Sequence, residues 1–446
     1  MKKALSFFLA LIFLALGTPL TAFAEADPIS ELVLDSQGVY LVNVETDTVL
    51  YAKAENARTF PASLTKIMTA LVVLQECTDP SSETVKITKV SDLAYIYEDG
   101  GVYLDMKIGE SYTVYDLLVA TMLGSCCDTA EVLAKHFGDG EVSKFIQKMN
   151  MAANKLGLEN SHFENAHGLH HPNHYSSPRD IATILREAMK NPIFREIITL
   201  RQYTIPATDK SKARSIIPTV QCYKEGSKYH LSCYVGGKSG YTKDAGRCLA
   251  TYSEEEGVSY VSVLIGANLE SSKNYTGNMA EIETHTLLSY AYENFTLKTI
   301  FSKGQEVAKL DVKDSDQKIS VVAKESIVAL IRRDKDPTYN LNLPKEISVS
   351  EVQNGKRVGS LHLTFDANES KKANPLVISW NGKPITTKSS LEKGAEGAAK
   401  AVTNIFTEDK TFVILFICLL LVILVTLPLL HLANYFHKKK SRKPRH

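Results

Sequence analysis

The sequence predicts an α/β protein, helices packed on a sheet, followed by a small β-rich domain and a C-terminal transmembrane helix. Three observations predict it. Strand signals at residues 39–51 and 248–265 lie far apart in the chain and enclose stretches of helical periodicity, a pattern that fits helices laid on one sheet. From Leu297 the texture changes to short alternating runs. Residues 412–430 are apolar and carry no charge, roughly 19 residues and long enough to cross a bilayer.

Taken in order, the chain opens with Met1-Lys2-Lys3, an apolar run over residues 4–16, and Ala22-Phe23-Ala24 before Glu25. A basic start, a short apolar core and small residues at −3 and −1 describe a secretory signal peptide, residues 1–24, cut after Ala24. An uncleaved anchor is the alternative. Val39-Tyr40-Leu41-Val42-Asn43-Val44 and Thr48-Val49-Leu50-Tyr51, split by Glu45-Thr46-Asp47, predict a β-hairpin. Apolar residues then recur at helical spacing over 115–137 and 143–156, strand signals return at 248–252 and 258–265, and 279–294 reads as a helix.

The alternating runs Ile319-Ser320-Val321-Val322 and Gly359-Ser360-Leu361-His362-Leu363-Thr364-Phe365 place the β-rich domain at 297–388. Residues 389–410, rich in Lys, Glu, Ala and Gly, form a linker. The membrane helix follows at 411–432, with Pro428 near its end, and a basic tail occupies 433–446. Lys438, Lys439, Lys440, Arg442, Lys443 and Arg445 would keep that tail in the cytoplasm and everything before the span outside. A buried core helix would not account for the basic block.

Without the signal lysines and tail cations, residues 25–410 carry a net charge of about −7, which argues against a nucleic-acid or anionic-lipid partner for the outer part. The seven cysteines are scattered, with Cys418 in the span and Cys126-Cys127 adjacent, and do not resemble a disulfide framework. No Cys/His spacing matches a structural zinc site, and no metal or other cofactor is expected. His167, His170, His171 and His174 crowd a loop-like stretch and are the weak candidate for one.

The chemistry centres on Pro61-Ala62-Ser63-Leu64-Thr65-Lys66. Pro61 suits a helix start, and residues 66–76 are largely helix formers that close apolar on one side. Side chains at i and i+3 share a helix face, so the Lys66 amine can reach the Ser63 hydroxyl. A hydroxyl is a poor nucleophile until a base takes its proton, and a lysine serves where burial or another cation lowers its pKa. The bland reading is an N-cap serine beside an exposed lysine. Ser-x-x-Lys recurs at Ser315 to Lys318 and at Ser390 to Lys393, in charged and polar surroundings that read as solvated surface. Two later elements separate Ser63 from these: Ser125-Cys126-Cys127-Asp128, between two helical segments, and Lys238-Ser239-Gly240-Tyr241-Thr242, before a strand.

Ser-x-x-Lys, Ser-x-x and Lys-Ser-Gly in this order resemble the active-site set of penicillin-binding proteins and serine β-lactamases, and most closely that of the low-molecular-mass serine D-Ala-D-Ala carboxypeptidases. The resemblance runs from Val39 to Asn294. It includes Ala62 to Ala70, Gly109-Glu110 with Thr113 to Leu118, Met149-Asn150, Leu156-Gly157, Phe163 to Leu169, Tyr175 to Asp180, and Gly237 to Thr242 with Ala245 to Ala250.

It implies a catalytic domain at 29–294 with a β-lactamase/transpeptidase-like fold, an antiparallel sheet with helices on both faces plus a helical subdomain. It also implies a peptidoglycan stem pentapeptide ending in D-Ala-D-Ala as substrate, and β-lactams as acylating inhibitors. By resemblance, Ser63 is the nucleophile, Lys66 its base and Ser125 a proton relay. Lys238 and Ser239 bind the terminal carboxylate, and the N–H groups of Ser63 and Tyr241 form the oxyanion hole.

Lys-Ser-Gly replaces the usual Lys-Thr-Gly and keeps the hydroxyl. Cys127 stands where the family has the asparagine of Ser-x-Asn, and a thiol is the weaker donor. Loss of one neutral hydrogen bond, about 1 kcal/mol, would slow such an enzyme without abolishing it. The competing functions are a penicillin- or muropeptide-binding protein with reduced turnover and a serine β-lactamase. For the latter, Glu164 is the nearby glutamate that could activate water.

Overall fold

The computed structural model describes residues 29, 32–89, 96, 98–268, 278–335, 338–364, 369–388, 392 and 396–399. The signal peptide, the membrane helix, the basic tail and most of the linker lie outside the described residues. Two compact units emerge, one of them mainly the first 300 residues together with 328–340 and 362–372.

In the first unit, β1 (Gly38–Asn43) and β2 (Val49–Lys53) form the expected hairpin. Asn43 Oδ1 accepts the Thr46 N–H at 2.9 Å, and Asp47 turns through the left-handed region that Asp tolerates (φ +58°). Two short antiparallel pairs, β3 (Thr84–Lys86) with β4 (Ser111–Thr113) and β5 (Tyr203–Ile205) with β6 (Arg214–Ile216), form small sheets of their own. β7 (Tyr234–Thr242), β8 (Gly246–Glu255) and β9 (Val258–Ala267) complete a five-stranded sheet in the order β2-β1-β9-β8-β7, antiparallel at the pairings β1–β2, β1–β9, β9–β8 and β8–β7.

Period-two alternation sends the side chains of this sheet into two cores. Tyr40, Val42, Val261 and Val263 enter one, and Val39, Leu41, Tyr260 and Leu264 the other. The second core is roofed by the helix Met279–Asn294, which contributes Met279, Ala280, Leu287, Leu288 and Ala291.

Six further helices of the described residues contribute to the first core: α1 (Thr65–Glu76), α2 (Val114–Met122), α3 (Cys127–Phe137), α4 (Val142–Lys155), α5 (Pro178–Ala188) and α6 (Pro192–Thr199). Local chemistry starts several of them. Thr113 and Asp116 form a reciprocal capping box on α2, and Ser177 caps α5 ahead of Pro178 at its first turn. α1 departs from its expected one-sided pattern, since every residue from Thr65 to Leu74 is buried. It is the central helix, enclosed by other elements rather than laid on a surface.

In the second unit, Glu306–Val312 pairs antiparallel with Lys318–Ala323 and parallel with Glu346–Ile347. Ile319, Val321 and Ala323 alternate inward and meet a core with Leu310, Val312, Leu361, Leu376 and Ile378. This is the small β-rich domain that alternation predicts.

Candidate active site

Ser63 lies on the 3₁₀ turn Ala62–Leu64 that leads into α1, one step before the α-helix proper. The turn is strained at Ala62 (φ +46°) and is held from outside. The Thr65 hydroxyl donates to the Ala62 carbonyl at 2.8 Å and pairs with His174 Nε2 at 2.8 Å. His174 Nδ1 accepts the Glu164 N–H at 3.2 Å, so the ring proton sits on Nε2 and points at Thr65. Burial pushes the His174 ring down to about 3, which keeps it neutral in this role. Gly168 (φ +83°) packs its backbone against the same carbonyl, where a Cβ would come within 1.9 Å of the Ala62 oxygen.

Lys66 is fully buried, and its amine donates to Ser63 Oγ at 2.9 Å, to the His167 carbonyl at 2.7 Å and to Cys127 Sγ at 3.4 Å. Three polar groups thus surround the amine, which makes its burial tolerable; in its unprotonated form two N–H donors serve the His167 carbonyl and Cys127 Sγ, and the lone pair faces the Ser63 hydroxyl. The bland alternative for this serine, a cap beside an exposed lysine, does not describe it.

Ser125 sits in the break between α2 and α3 with a left-handed backbone (φ +62°), a conformation that costs a non-glycine residue about 1–3 kcal/mol. Its hydroxyl accepts from Lys238 Nζ at 2.9 Å. Lys238, 1 % exposed, also donates to the Ser239 carbonyl at 2.7 Å. Burial, and after it the nearby Lys66, hold the Lys238 amine well below the usual lysine range. Ser239 Oγ lies 2.7 Å from Thr219 Oγ1, and the Thr219 N–H bonds Leu123 O at 3.2 Å, which ties the β7 wall to the Ser125 wall.

β7 is the edge strand of its sheet, so alternate backbone groups face away from β8. At Gly240 a Cβ would stand 3.0 Å from the Ser63 nitrogen, so this strand runs directly along the Ser63 turn. Tyr241 follows, half exposed, with the Arg247 guanidinium over its ring at 5.8 Å. Ser63 and Cys127 join through Lys66, the Cys127 thiol lies 3.9 Å from the Ser125 carbonyl, and Lys238, Ser239 and Tyr241 join through Ser125 and the close pass of β7. The seven residues singled out from sequence therefore line one cleft.

The other candidates fall away from it. Lys318 pairs with Asp311 at 2.9 Å on the surface, and Ser315 donates to Thr386 O. Ser390 and Lys393 lie outside the described residues. His167 and His174 brace the Ser63 turn, and among the described residues no group of three or more His, Cys, Asp or Glu side chains could hold a metal ion. Cys77, Cys126, Cys127, Cys222, Cys233 and Cys248 are free and buried. Sequence reasoning missed Thr219, whose flanks carry no motif, and Asp128, visible only as the residue after Cys127.

The profile of the D-alanyl-D-alanine carboxypeptidase family matches residues 23–269, and that of the penicillin-binding protein 5 C-terminal domain matches 295–393. The chain is 30% identical over 376 residues to the D-alanyl-D-alanine carboxypeptidase DacF of Bacillus subtilis, covering 82% of this chain and 91% of the relative. It is 34% identical over 260 residues to a D-alanyl-D-alanine carboxypeptidase of Streptomyces sp. strain K15, covering 56% and 85%. The crystal structure of the Streptomyces K15 DD-transpeptidase superposes with a TM-score of 0.52 at 29% identity, covering 59% of this chain and 98% of that one. Penicillin binding protein 5 from Haemophilus influenzae superposes with a TM-score of 0.63 at 22% identity, covering 78% and 97%, and shows the common fold. With its serine–lysine pairs gathered in one cleft and both domain profiles matched in order, the chain belongs to the D-alanyl-D-alanine carboxypeptidase family of low-molecular-mass penicillin-binding proteins.

Proposed function

We propose that the chain removes the terminal D-alanine from peptidoglycan pentapeptides through an acyl-enzyme on Ser63. The observation that carries this reading is the 2.9 Å contact between Lys66 Nζ and Ser63 Oγ inside a cleft closed by a second lysine–serine pair. Ser63 Oγ attacks the carbonyl carbon of the penultimate D-Ala while its proton passes to the Lys66 amine. The backbone N–H groups of Ser63 and Tyr241 receive the developing oxyanion, donors of a kind worth about 3 kcal/mol of barrier each. The C–N bond then breaks, with Ser125 relaying a proton to the departing D-Ala amine, and water hydrolyses the ester.

The terminal carboxylate docks on Lys238 and Ser239. Burial and the nearby Lys66 make Lys238 hold its proton less firmly than a free lysine, and the arriving anion favours proton uptake there. Thr219 fixes the Ser239 hydroxyl for the same contact. Cys127 takes the asparagine's place against Lys66 and offers the substrate a weaker donor. One of the similar solved structures is a cysteine-to-asparagine mutant of the Streptomyces K15 DD-transpeptidase. β-Lactams would acylate Ser63 by the same attack. The β-lactamase reading finds no support at Glu164, whose carboxylate pairs with His162 at 3.1 Å while its loop braces the Ser63 turn.

The catalytic unit works outside the cell, exported by residues 1–24 and held by the helix at 411–432 with the basic tail in the cytoplasm. The apolar run and the basic block after it support this arrangement.

The test pairs product analysis with adduct mapping. D-Alanine release from a D-Ala-D-Ala pentapeptide, and a benzylpenicillin adduct on the peptide containing Ser63, are the expected results. Stable labelling with no D-alanine release would identify a binding protein instead, and a Ser63→Ala variant that still cleaves would overturn the nucleophile.

A further inference from the structure

The first residues of α3 do more than carry Cys127 into the cleft. Asp128 is fully buried, and its carboxylate accepts the N–H of Leu104, 24 residues away, on both oxygens at 3.0 and 2.9 Å. The Thr129 N–H adds a third bond at 2.9 Å. Beside it, the Cys127 N–H donates to Val102 O at 2.7 Å. Two consecutive residues thus hold one extended segment, Gly101 to Leu104, and Arg214 fastens it from the other side by donating to Leu104 O at 2.9 Å. The segment lies flat on the active-site thiol, since a Cβ on Gly101 would stand 3.3 Å from Cys127 Sγ. That thiol is the third partner of the Lys66 amine.

We propose that Asp128 is a positioning residue of this site: its carboxylate pins the Gly101–Leu104 segment over Cys127, and so sets how fast Ser63 is acylated. The inference rests on the acyl-transfer reading above and deepens it. The physical reason is register. Lys66 holds its geometry toward Ser63 only while its other two acceptors stay in place. One of these, the His167 carbonyl, belongs to the loop that braces α1. The other is a thiol free to change rotamer, held by a weak 3.9 Å contact to the Ser125 carbonyl and by the backbone that lies against it. Releasing that backbone lets the thiol turn and admits water beside the amine, and small displacements at a near-attack geometry are costly in rate. A buried carboxylate taking N–H bonds from a remote segment is a strong way to hold that backbone, because charge-assisted bonds are roughly twice as strong as neutral ones.

The experiment uses the full chain in detergent or nanodiscs and measures two quantities with benzylpenicillin: the acylation rate, and the fraction of molecules labelled at the end point. Asp128→Ala should slow acylation per labelled site at least tenfold while the end-point fraction stays near that of the unmodified chain. Asp128→Asn, which keeps one acceptor oxygen, should slow it about threefold. Hydrogen exchange at the Leu104 amide should quicken in the same order. A role in folding alone would lower the labelled fraction and leave the rate per labelled site untouched, and that result overturns the proposal. If Asp128→Ala does not fold, Asp128→Asn decides by the same two numbers. Should the unmodified chain form no adduct on Ser63, the acyl-transfer reading and this inference fall together. An unmodified chain that acylates normally, with variants that match it, removes the role of Asp128 alone.

Discussion

His174 donates its single ring proton to Thr65 because a backbone N–H already occupies its other nitrogen, and a second proton would have nowhere to go in that buried pocket. The consequence is a pH dependence with a definite sign. The folded pKa of about 3 lies below the ordinary 6.5, so the unfolded chain binds the proton more readily. The stabilisation is fully present above about pH 6.5 and is lost as pH falls toward 3, at up to about 1.4 kcal/mol per pH unit. His174→Gln cannot titrate. The stability gap between the unmodified chain and this variant should therefore shrink steadily from pH 6.5 to 3, as read by urea midpoints. A constant gap would mean that the ring is not held neutral. The Ser63–Lys66 contact was legible from an i, i+3 spacing, whereas this histidine was not. His-His-Pro-Asn-His reads as a loop, and its partners Thr65 and Glu164 sit on separate segments.

Among the elements, the Ser63 turn depends on a loop rather than on its own helix. Residues 163–169 run along α1, where Thr69 Oγ1 donates to Ala166 O at 2.6 Å, Lys66 donates to His167 O, and Gly168 lies against Ala62 O. Gly168→Ala combines an unfavourable positive φ with a clash against backbone that cannot retreat without moving Ser63. The expected cost is about 3 kcal/mol, or roughly 6–12 °C in Tm for a unit of this size. Differential scanning calorimetry checks it, and a fall in penicillin labelling should accompany the loss. The helix over 115–137 was readable from periodicity, and so was the break at Ser125. The strain at Ser125 was not, because nothing in the letters Ser-Cys-Cys-Asp demands a left-handed residue; the turn geometry between α2 and α3 imposes it.

The molecule as a whole divides into units with separate cores, yet the chain does not leave the first unit once. After Phe295–Phe301, the strand Ile327–Arg332 pairs with it, and Leu330 enters the core beneath the helix Met279–Asn294. Leu330→Ala should therefore cost 2–5 kcal/mol of the first unit's stability, the range for emptying a buried leucine site. The acylation rate per labelled site should not change, because this residue sits across the sheet from the cleft core. Stopped-flow acylation and denaturant unfolding measured on one preparation separate the two effects.

Read from its letters alone, the chain yields an inventory: which serines and lysines are candidates for the chemistry, the strands and helices that bear them, and the family they mark. Local periodicity and i, i+3 spacing are short-range properties, so they survive in one dimension. That Lys66 reaches a thiol and a loop carbonyl as well as Ser63 emerges only once the chain has folded. The same holds for Thr219, which joins two walls, and for Asp128, which holds a remote segment. Those contacts span tens to more than a hundred residues, and their strength comes from burial, which no single stretch of sequence possesses until the others have packed around it.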